Sequence, residues 1–323
     1  MIKPLNQLPA SGKHIFVRVT FNVPLNDRWQ VMDDRRIRAA LPTINWLLSQ
    51  GVAGLRLATH LGRPTRPDPL LSTQKLKPII QGLLGKNYSR IELLENTRFD
   101  PRERLNDRSF ASQLMEGMDY YVNEAFPDCH RGHASIVAAA SIKPAFGGLN
   151  LMKEISQLEK LRKSPSRPFV VLVGGAKVED KLPLVEALLP IADKVLVGGK
   201  VGFELTLNDP KLIKPVDSID EFDIGPKTIE LFKEHLGEAK TIFWNGNLGK
   251  SEDPTFANGT NAIAEFLASQ DGYRVVGGGD TLEVLDSLGI ANRFDFVSTS
   301  GGATLEFLTG KRLPGLEALG YYS

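Results

Sequence analysis

Short apolar runs alternate with segments of helical periodicity along this 323-residue chain, and that alternation limits the folds open to it. The runs are rich in β-branched residues, which favour strands: HIFVRVTF, AGLRLAT, IELLE, YYVN, FVVLVGG, KVLVGG, TIFWNG, RVVGGGD and FDFVSTS. Helical spacing is clearest in RRIRAALPTINWLLSQ, KLKPIIQGLLG, DRSFASQLMEG, KLPLVEALLPIA, NAIAEFLASQ and TLEVLDSLG. We therefore expect right-handed crossovers and parallel sheets with helices on both faces.

The length favours two domains, because one hydrophobic core usually stops growing at about 250–300 residues, although one large domain remains possible. Fourteen of the 19 arginines lie in residues 1–150, whereas 14 of the 20 lysines follow, and LNLMKEISQLEKLRKSPSRP separates the two halves. We predict an α/β protein with two doubly wound, Rossmann-like domains joined by a helix, with a cleft between them. The predicted parts are a first domain over 1–149, a connecting helix and linker over 150–167, a second domain over 168–305, and a C-terminal segment over 306–323 that returns to the first.

Composition excludes several classes of partner. A formal net charge of +1 gives no reason to expect nucleic acid or an anionic membrane. No segment reaches the membrane-spanning length of about 18 apolar residues, and the amino terminus lacks the apolar stretch of a signal peptide. The lone Cys129 cannot form an internal disulfide, so we expect a reducing compartment and a cytoplasmic location.

Arginines and histidines follow the predicted strands of the first half. Because parallel sheets bind ligands at the carboxyl ends of their strands, these residues predict a site for a small, multiply anionic ligand. The cluster consists of Arg18, Arg36, His60, Arg63, Arg98, His130, Arg131 and His133. Surface ion pairs are the alternative for each arginine taken singly. The histidine spacing matches no standard zinc site, which favours anion binding or histidines with satisfied hydrogen bonds over metal binding.

Glycines follow the predicted strands of the second half, in VGGAKVEDK, VGGK, WNGNLGKSE and VGGGDTLE. Such turns let the backbone approach a ligand and present free N–H groups to phosphate, although glycines can also serve only to shape tight turns. The signatures GxxxxGK[ST] and GxGxxG are both missing at these positions, so a different polyphosphate site is required. Asp280, just before helical TLEVLDSLG, fits a helix N-cap and a ligand of phosphate-bound magnesium equally well.

Taken in order, the motifs resemble those of phosphoglycerate kinase over nearly the whole chain. They are RVTFNVPL, RIRAALPTI, THLGRP, LLENTRF, YVNEAF, HRGHAS, GGAKVEDK, WNG, GGGDT, STSGGATLE and LPG. The resemblance implies a glycolytic phosphotransferase with a carboxyl group as acceptor. Its reaction is reversible transfer between 1,3-bisphosphoglycerate and MgADP, giving 3-phosphoglycerate and MgATP. The implied cofactor is Mg²⁺ with ADP or ATP, the implied partners are small molecules alone, and we expect a monomer.

The resemblance also assigns roles to individual residues. Its substrate-binding positions are Thr20, Asn22, Arg36, His60, Arg63, Arg98 and Arg131. Its nucleotide-binding positions are Gly174, Gly175, Lys177, Lys181, Gly199, Asn245, Glu252, Gly278, Gly279, Asp280 and Thr281. Arg36 and Lys181 are the implied catalytic cations that face the transferring phosphoryl group. Asp280 is the implied metal-binding residue, acting through nucleotide-bound magnesium.

Several departures from the family pattern stand out. Thr20 replaces the aspartate of RVDFN, which removes a carboxylate expected to contact the substrate hydroxyl. WNGNLGKSE replaces WNGPxGVFE, and Ser300 stands where a third glycine is usual. Only NDPKLIKPVDSID lies between VGGKVGFELTL and EFDIGP, where the family has several more elements, including part of the adenine pocket. The nucleotide domain is therefore abridged.

Two alternatives to an active phosphoglycerate kinase follow from these departures. One is a catalytically impaired binding or regulatory homologue, which Thr20 and the short segment favour. The other is a kinase for a different acyl phosphate, which the arginine and histidine set fits less well. For an active enzyme, ligands held on separate domains have to meet in line, so we expect domain closure.

Overall fold

The computed structural model describes residues 1–322 and divides them into two compact units. The first unit comprises residues 1–155 and the chain from Arg312 onward, and the second comprises residues 156–311. The boundary thus falls inside the helix that the sequence predicted as the connection. The return to the first unit begins at Arg312 rather than at residue 306.

Strands and helices alternate along the described residues. The strands are β1 His14–Arg18, β2 Gly54–Ala58, β3 Ile91–Leu93, β4 Tyr120–Asn123, β5 Ala145–Gly147, β6 Phe169–Val173, β7 Lys194–Val197, β8 Leu212–Ile213, β9 Ser218–Ile219, β10 Asp223–Ile224, β11 Thr241–Asn245, β12 Tyr273–Gly277 and β13 Phe296–Ser298. The helices are α1 Arg35–Ser49, α2 Lys77–Leu84, α3 Arg108–Leu114, α4 Leu149–Lys163, α5 Val178–Leu188, α6 Gly199–Glu204, α7 Pro226–Gly237, α8 Asn258–Ser269, α9 Gly279–Ser287, α10 Gly302–Leu308 and α11 Pro314–Ala318.

The first unit is built on a parallel sheet of five strands in the order β3-β2-β1-β4-β5. Arg18, the last residue of β1, pairs with Ala58 on one side and Asn123 on the other. The ends of three neighbouring strands therefore lie side by side. Their following loops emerge at one edge of the sheet, as expected for parallel strands.

The second unit is built on a parallel sheet of six strands in the order β13-β12-β11-β6-β7-β8. Asn245 at the end of β11 pairs with Val173 and Gly277, so the glycine turns after β6, β11 and β12 also emerge side by side. The predicted α/β class with parallel sheets is confirmed. The short segment between α6 and α7 contributes the edge strand β8 and the antiparallel pair β9–β10.

Each unit has its own apolar core. Every residue of β6 and β11 is buried, as expected for central parallel strands covered by helices on both faces. In the second unit Trp244 and Leu172 pack with Phe232 of α7. In the first, Val17 and Leu57 pack with Ile44 of α1. No helix among residues 1–322 is both long and apolar enough to cross a membrane.

Glu124 joins the end of β4 to the beginning of α4 inside the first unit. Its carboxylate accepts hydrogen bonds from the backbone N–H groups of Asn150 and Leu151, at 3.1 and 3.5 Å, and from the Thr43 hydroxyl. The side chain is buried without a cationic partner among these contacts. Burial raises the pKa of Glu124 to about 8, and the three hydrogen bonds offset part of that shift.

This raised pKa predicts a pH dependence of stability. Because the folded state holds the Glu124 proton more tightly than the unfolded chain, the free energy of unfolding should fall as the pH rises from 4.5 towards about 8. Glu124→Gln should flatten that part of the profile, since the amide does not titrate. Denaturant unfolding at a series of pH values measures both chains, and an unchanged slope in the variant would contradict the assignment.

Candidate functional site

The carboxyl edge of the first sheet gathers most of the predicted substrate-binding residues. Arg36, in the first turn of α1, donates from Nη1 to the backbone oxygen of Asn22 at 2.6 Å. The Asn22 side chain in turn accepts from the backbone N–H of Gly62 at 2.8 Å. These two hydrogen bonds tie the loops after β1 and β2 to the start of α1. Burial lowers the pKa of Arg36, and the nearby carboxylates of Asp128 and Asp33 oppose this shift.

Arg98 points most directly to an anion-binding site. Its side chain is buried, and Nη1 donates to the backbone oxygen of Gly62 at 2.7 Å. Nε and Nη2 are also buried but have no hydrogen-bond partner among the described residues. Burial lowers the pKa of Arg98 to about 10, so the group remains charged near neutral pH. Buried guanidinium donors without acceptors favour binding of an anionic ligand.

The remaining predicted cations differ in burial. His60 is buried, and burial together with the neighbouring arginines lowers its pKa well below the ordinary value. Its neutral ring accepts from Arg18 Nη2 through Nδ1, at 3.3 Å. Arg131 is partly exposed, with Nε 3.9 Å from Asp128. Arg63 is exposed, so the structure does not tie it to the buried group. We call the group of Arg18, Arg36, His60, Arg98 and Arg131 the cation cluster.

The second unit holds a cleft of about 980 Å³ at the carboxyl edge of its sheet. Nine of the 11 predicted nucleotide-binding residues line it. These nine are Gly175, Lys177, Lys181, Gly199, Asn245, Glu252, Gly278, Gly279 and Asp280. Gly174 and Thr281 lie buried behind the lining, where Thr281 accepts from the backbone N–H of Gly246 at 2.9 Å.

Two glycine turns of this cleft touch backbone to backbone. A Cβ on Gly174 would lie 2.1 Å from the backbone oxygen of Asn247. A Cβ on Gly246, whose φ is +94°, would lie 2.2 Å from the oxygen of Gly174. Side chains are therefore excluded at both positions, because the two turns pack directly against each other.

Lys181 projects from α5 into the cleft. Its Nζ donates to the Asn245 side-chain oxygen, while the Asn245 amide nitrogen donates to the backbone oxygen of Gly277 at 2.6 Å. Burial lowers the pKa of Lys181, and the negative charges of Asp280 and Asp180 oppose this shift. Asp280 itself is exposed in the first turn of α9. The cleft therefore combines a fixed cation, an accessible carboxylate and glycine turns.

The departures from the family pattern fall unevenly around this cleft. Asn247 and Lys250 line it, whereas Ser300 is buried and is not among the lining residues. Phe222, two residues after the segment that stands in place of the missing elements, lines the cleft with half of its surface exposed and packs on Phe256 at 5.1 Å between ring centroids. No periodic pattern marks Phe222 in the sequence, because it lies in a short irregular connection.

Comparison with known proteins agrees with this geometry. A family model described as phosphoglycerate kinase matches residues 5–214 and 206–311. A phosphoglycerate kinase of Rubrobacter xylanophilus is 38% identical over an alignment of 385 positions, which covers 98% of each chain. One of Herpetosiphon aurantiacus is 39% identical over 383 positions, covering 96% of each.

The chain belongs to the phosphoglycerate kinase family. The solved structure of phosphoglycerate kinase from Coxiella burnetii is 29% identical to it, with a TM-score of 0.87 and full coverage of both chains. That from Pyrococcus horikoshii OT3 has a TM-score of 0.86. Phosphoglycerate kinases are phosphotransferases with a carboxyl group as acceptor, so the predicted family and reaction class are confirmed.

The abridged second domain is confirmed by the same comparisons. The alignment with the Rubrobacter phosphoglycerate kinase has 385 positions although the chain has 323 residues, so the chain lacks tens of residues that this relative has. The two stretches matched by the phosphoglycerate kinase model meet at residues 206–214. This is the beginning of the short segment that forms β8 and the β9–β10 pair.

The contact between the Gly174 and Gly246 turns should be sensitive to any added side chain. Gly246→Ala forces a positive φ on alanine and a backbone clash, so it should destabilise the second unit by about 1–3 kcal/mol or more. Gly279→Ala is the matched control, because a Cβ there meets nothing within 4 Å. Thermal unfolding of both variants checks this. Equal melting temperatures would show that the turns do not need their close approach.

Proposed function

We propose that this chain is an active phosphoglycerate kinase that transfers a phosphoryl group reversibly between 1,3-bisphosphoglycerate and MgADP. The observation that carries the proposal is Lys181, a mostly buried ammonium group in a glycine-walled cleft of a chain that matches the family along its length. Phosphoryl transfer needs little covalent help from protein, and it is accelerated mainly by positioning and by neutralising charge.

The cation cluster supports binding of the phosphoglycerate in the first unit. The unpaired Nε and Nη2 groups of Arg98 supply donors for a carboxylate or phosphate, and Arg131 adds a partly exposed guanidinium group. Arg36 is held by the backbone of Asn22, and we assign it to the transferring phosphoryl group. Neutral His60 can donate a hydrogen bond through Nε2, because its Nδ1 accepts from Arg18. Arg63 and Thr20 complete the proposed substrate set.

The cleft of the second unit supports binding of the nucleotide polyphosphate. Backbone N–H groups of the turns at Gly175, Gly199 and Gly279 can approach phosphate oxygens without interference from side chains. Exposed Lys177 adds a positive charge, and Glu252 at the lining is a carboxylate suited to ribose hydroxyls. Gly174, Asn245, Gly278 and Thr281 hold these groups in place.

The residues of the cleft fit a magnesium ion that arrives with the nucleotide. Magnesium usually binds proteins through one or two carboxylates together with substrate phosphates and water. Asp280 supplies one exposed carboxylate at the lining, and no group of three metal-ligating side chains occurs in residues 1–322. When bound, magnesium would neutralise phosphate charge. Asp280 would hold the magnesium ion, and the Lys181 ammonium group would interact with the transferring phosphoryl group from the cleft wall.

The base side of the nucleotide is built differently from the family pattern because the second unit is short. The ring of Phe222 is half exposed at the cleft and packs on the ring of Phe256. We assign this ring to the nucleotide base, since an aromatic face stacks on a base without reading its polar edge. The consequence is a nucleotide preference looser than one set by hydrogen bonds.

Location and assembly are further parts of the proposal. A cytoplasmic location is supported by the lone Cys129, whose thiol is fully buried. Burial raises the pKa of this thiol, which makes it unreactive. The monomer predicted from the sequence stays a prediction, which analytical ultracentrifugation can check.

An assay of ATP formation from 1,3-bisphosphoglycerate, with calorimetry of MgADP binding on the same preparation, tests the proposed activity. Turnover that 3-phosphoglycerate inhibits competitively is the expected result. Binding of MgADP without turnover would identify a non-catalytic homologue. Turnover of a different acyl phosphate without inhibition by 3-phosphoglycerate would identify another kinase.

Lys181→Ala tests the catalytic role of the buried cation. We expect kcat to fall about 100- to 1,000-fold with a much smaller change in KM for either substrate, since the charge matters most in the transition state. Lys233→Ala, which removes a surface lysine of α7 in the same unit, is the control and should leave both constants unchanged. Equal losses of kcat and of substrate affinity in Lys181→Ala would contradict this role.

A further inference from the structure

The carboxylate that Thr20 removes from the family pattern has a replacement in the fold. Asp128 ends the turn that follows β4, and its Oδ2 accepts a hydrogen bond from the Thr20 hydroxyl at 3.0 Å. Both side chains are buried, and they lie 108 residues apart in the chain. A carboxylate therefore occupies the neighbourhood of position 20, although residue 20 itself is threonine.

We propose that Asp128, supported by Thr20, is the acceptor for the C2 hydroxyl of phosphoglycerate, in place of the aspartate that the family carries at position 20. This inference rests on the proposed function, because it names a contact of that same substrate. It assigns Asp128 to substrate recognition and makes it the specificity-determining residue for a 2-hydroxy acid.

The charges around Asp128 belong to the cation cluster. Arg18 Nη2 lies 3.3 Å from Oδ2, and Arg131 Nε lies 3.9 Å from Oδ1. The neutral ring of His60 adds no charge, although its Nδ1 lies 3.6 Å from Oδ2. Burial alone would raise the pKa of Asp128, but the buried cations, Arg18 and Arg98 among them, hold it below its ordinary range. Asp128 is thus an ionised acceptor at the centre of a group of donors.

Arg18 does not need Asp128 to hold it in position. Its Nε donates to the Ser135 hydroxyl at 2.8 Å, and its Nη1 donates to the backbone oxygen of Val19. Ser135 in turn donates to Glu103 at 2.6 Å, which supplies a second buried carboxylate close by. Asp128 is therefore not the only group that holds Arg18 in position.

The hydrogen bonds that the cluster leaves open match a hydroxy acid. Oδ1 of Asp128 accepts no hydrogen bond from any described residue, and the N–H groups at Arg98 Nε and Nη2 find no acceptor among the same residues. Carboxylate or phosphate oxygens can use the open arginine donors. A hydroxyl group can donate only to an acceptor, and Asp128 is the ionised carboxylate in direct contact with the cluster.

The test compares two ligands that differ by one oxygen atom, 3-phosphoglycerate and its 2-deoxy analogue 3-(phosphonooxy)propanoate. Calorimetry with the full chain should show that the wild-type protein binds the hydroxylated ligand about 10- to 100-fold more tightly. Asp128→Asn should lose most of that preference, because the neutral amide is a weaker acceptor. Affinity for MgADP should not change, because it binds the second unit, and protection of β1 and β4 from hydrogen–deuterium exchange reports that the first unit of the variant is folded.

The swap variant Thr20→Asp/Asp128→Thr moves the carboxylate to the family position without changing the net charge. It should recover the preference for the hydroxylated ligand, which a purely structural role of Asp128 does not predict. If Asp128→Asn fails to fold, the swap variant still tests the proposal, because it keeps a carboxylate as the counter-ion of the cation cluster.

Three results would overturn the assignment. Asp128→Asn could keep the full preference for 3-phosphoglycerate, or it could weaken both ligands equally while the swap variant restores nothing. Either result leaves the proposed function in place, because the wild-type protein still binds 3-phosphoglycerate. A wild-type protein that binds neither ligand would instead remove the proposed function and this inference with it.

Discussion

Parallel pairing of all strands in the two large sheets sends the loop after each strand to one edge, and both candidate sites depend on that constraint. In the first unit it places the residues after β1, β2 and β4 side by side, although they lie far apart in the sequence. In the second unit it does the same for the glycine turns after β6, β11 and β12. A single backbone arrangement therefore builds two sites of opposite character, one from side-chain cations and one from bare backbone.

Burying a charged side chain costs free energy, and the buried cations of this protein differ in the partners that offset that cost. Arg98 keeps buried donors without acceptors, which a folded protein seldom tolerates unless a ligand supplies them. Arg18, by contrast, is held by Ser135 and by backbone oxygen. Lys181 is held by Asn245, whose orientation is fixed by Gly277. In the first unit, the Arg98 donors thus lack acceptors that an anion can supply. In the second unit, the Lys181 ammonium group is already held in position to contact an anion.

Local patterns were sufficient to predict the nine apolar strands, because strands depend on short-range periodicity. The residues that follow those strands indicated which side chains the carboxyl edges of the sheets bring together. The helix Pro226–Gly237 was missed, although proline at its first position and glycine at its end are helix signals. The edge strand β8 and the β9–β10 pair lie in an irregular segment without periodicity. The role proposed for Asp128 could not be recognised from the sequence, since it depends on the contact with Thr20, which only the folded sheet provides.

The central claim is that each unit binds its own ligand at the carboxyl edge of its own sheet. Hydrogen–deuterium exchange with one ligand at a time tests it most directly. With 3-phosphoglycerate, protection should appear in the loops after β1, β2 and β4. With MgADP, protection should appear in the turns after β6, β11 and β12. Protection of the second unit by 3-phosphoglycerate alone, with none in the first, would contradict the account.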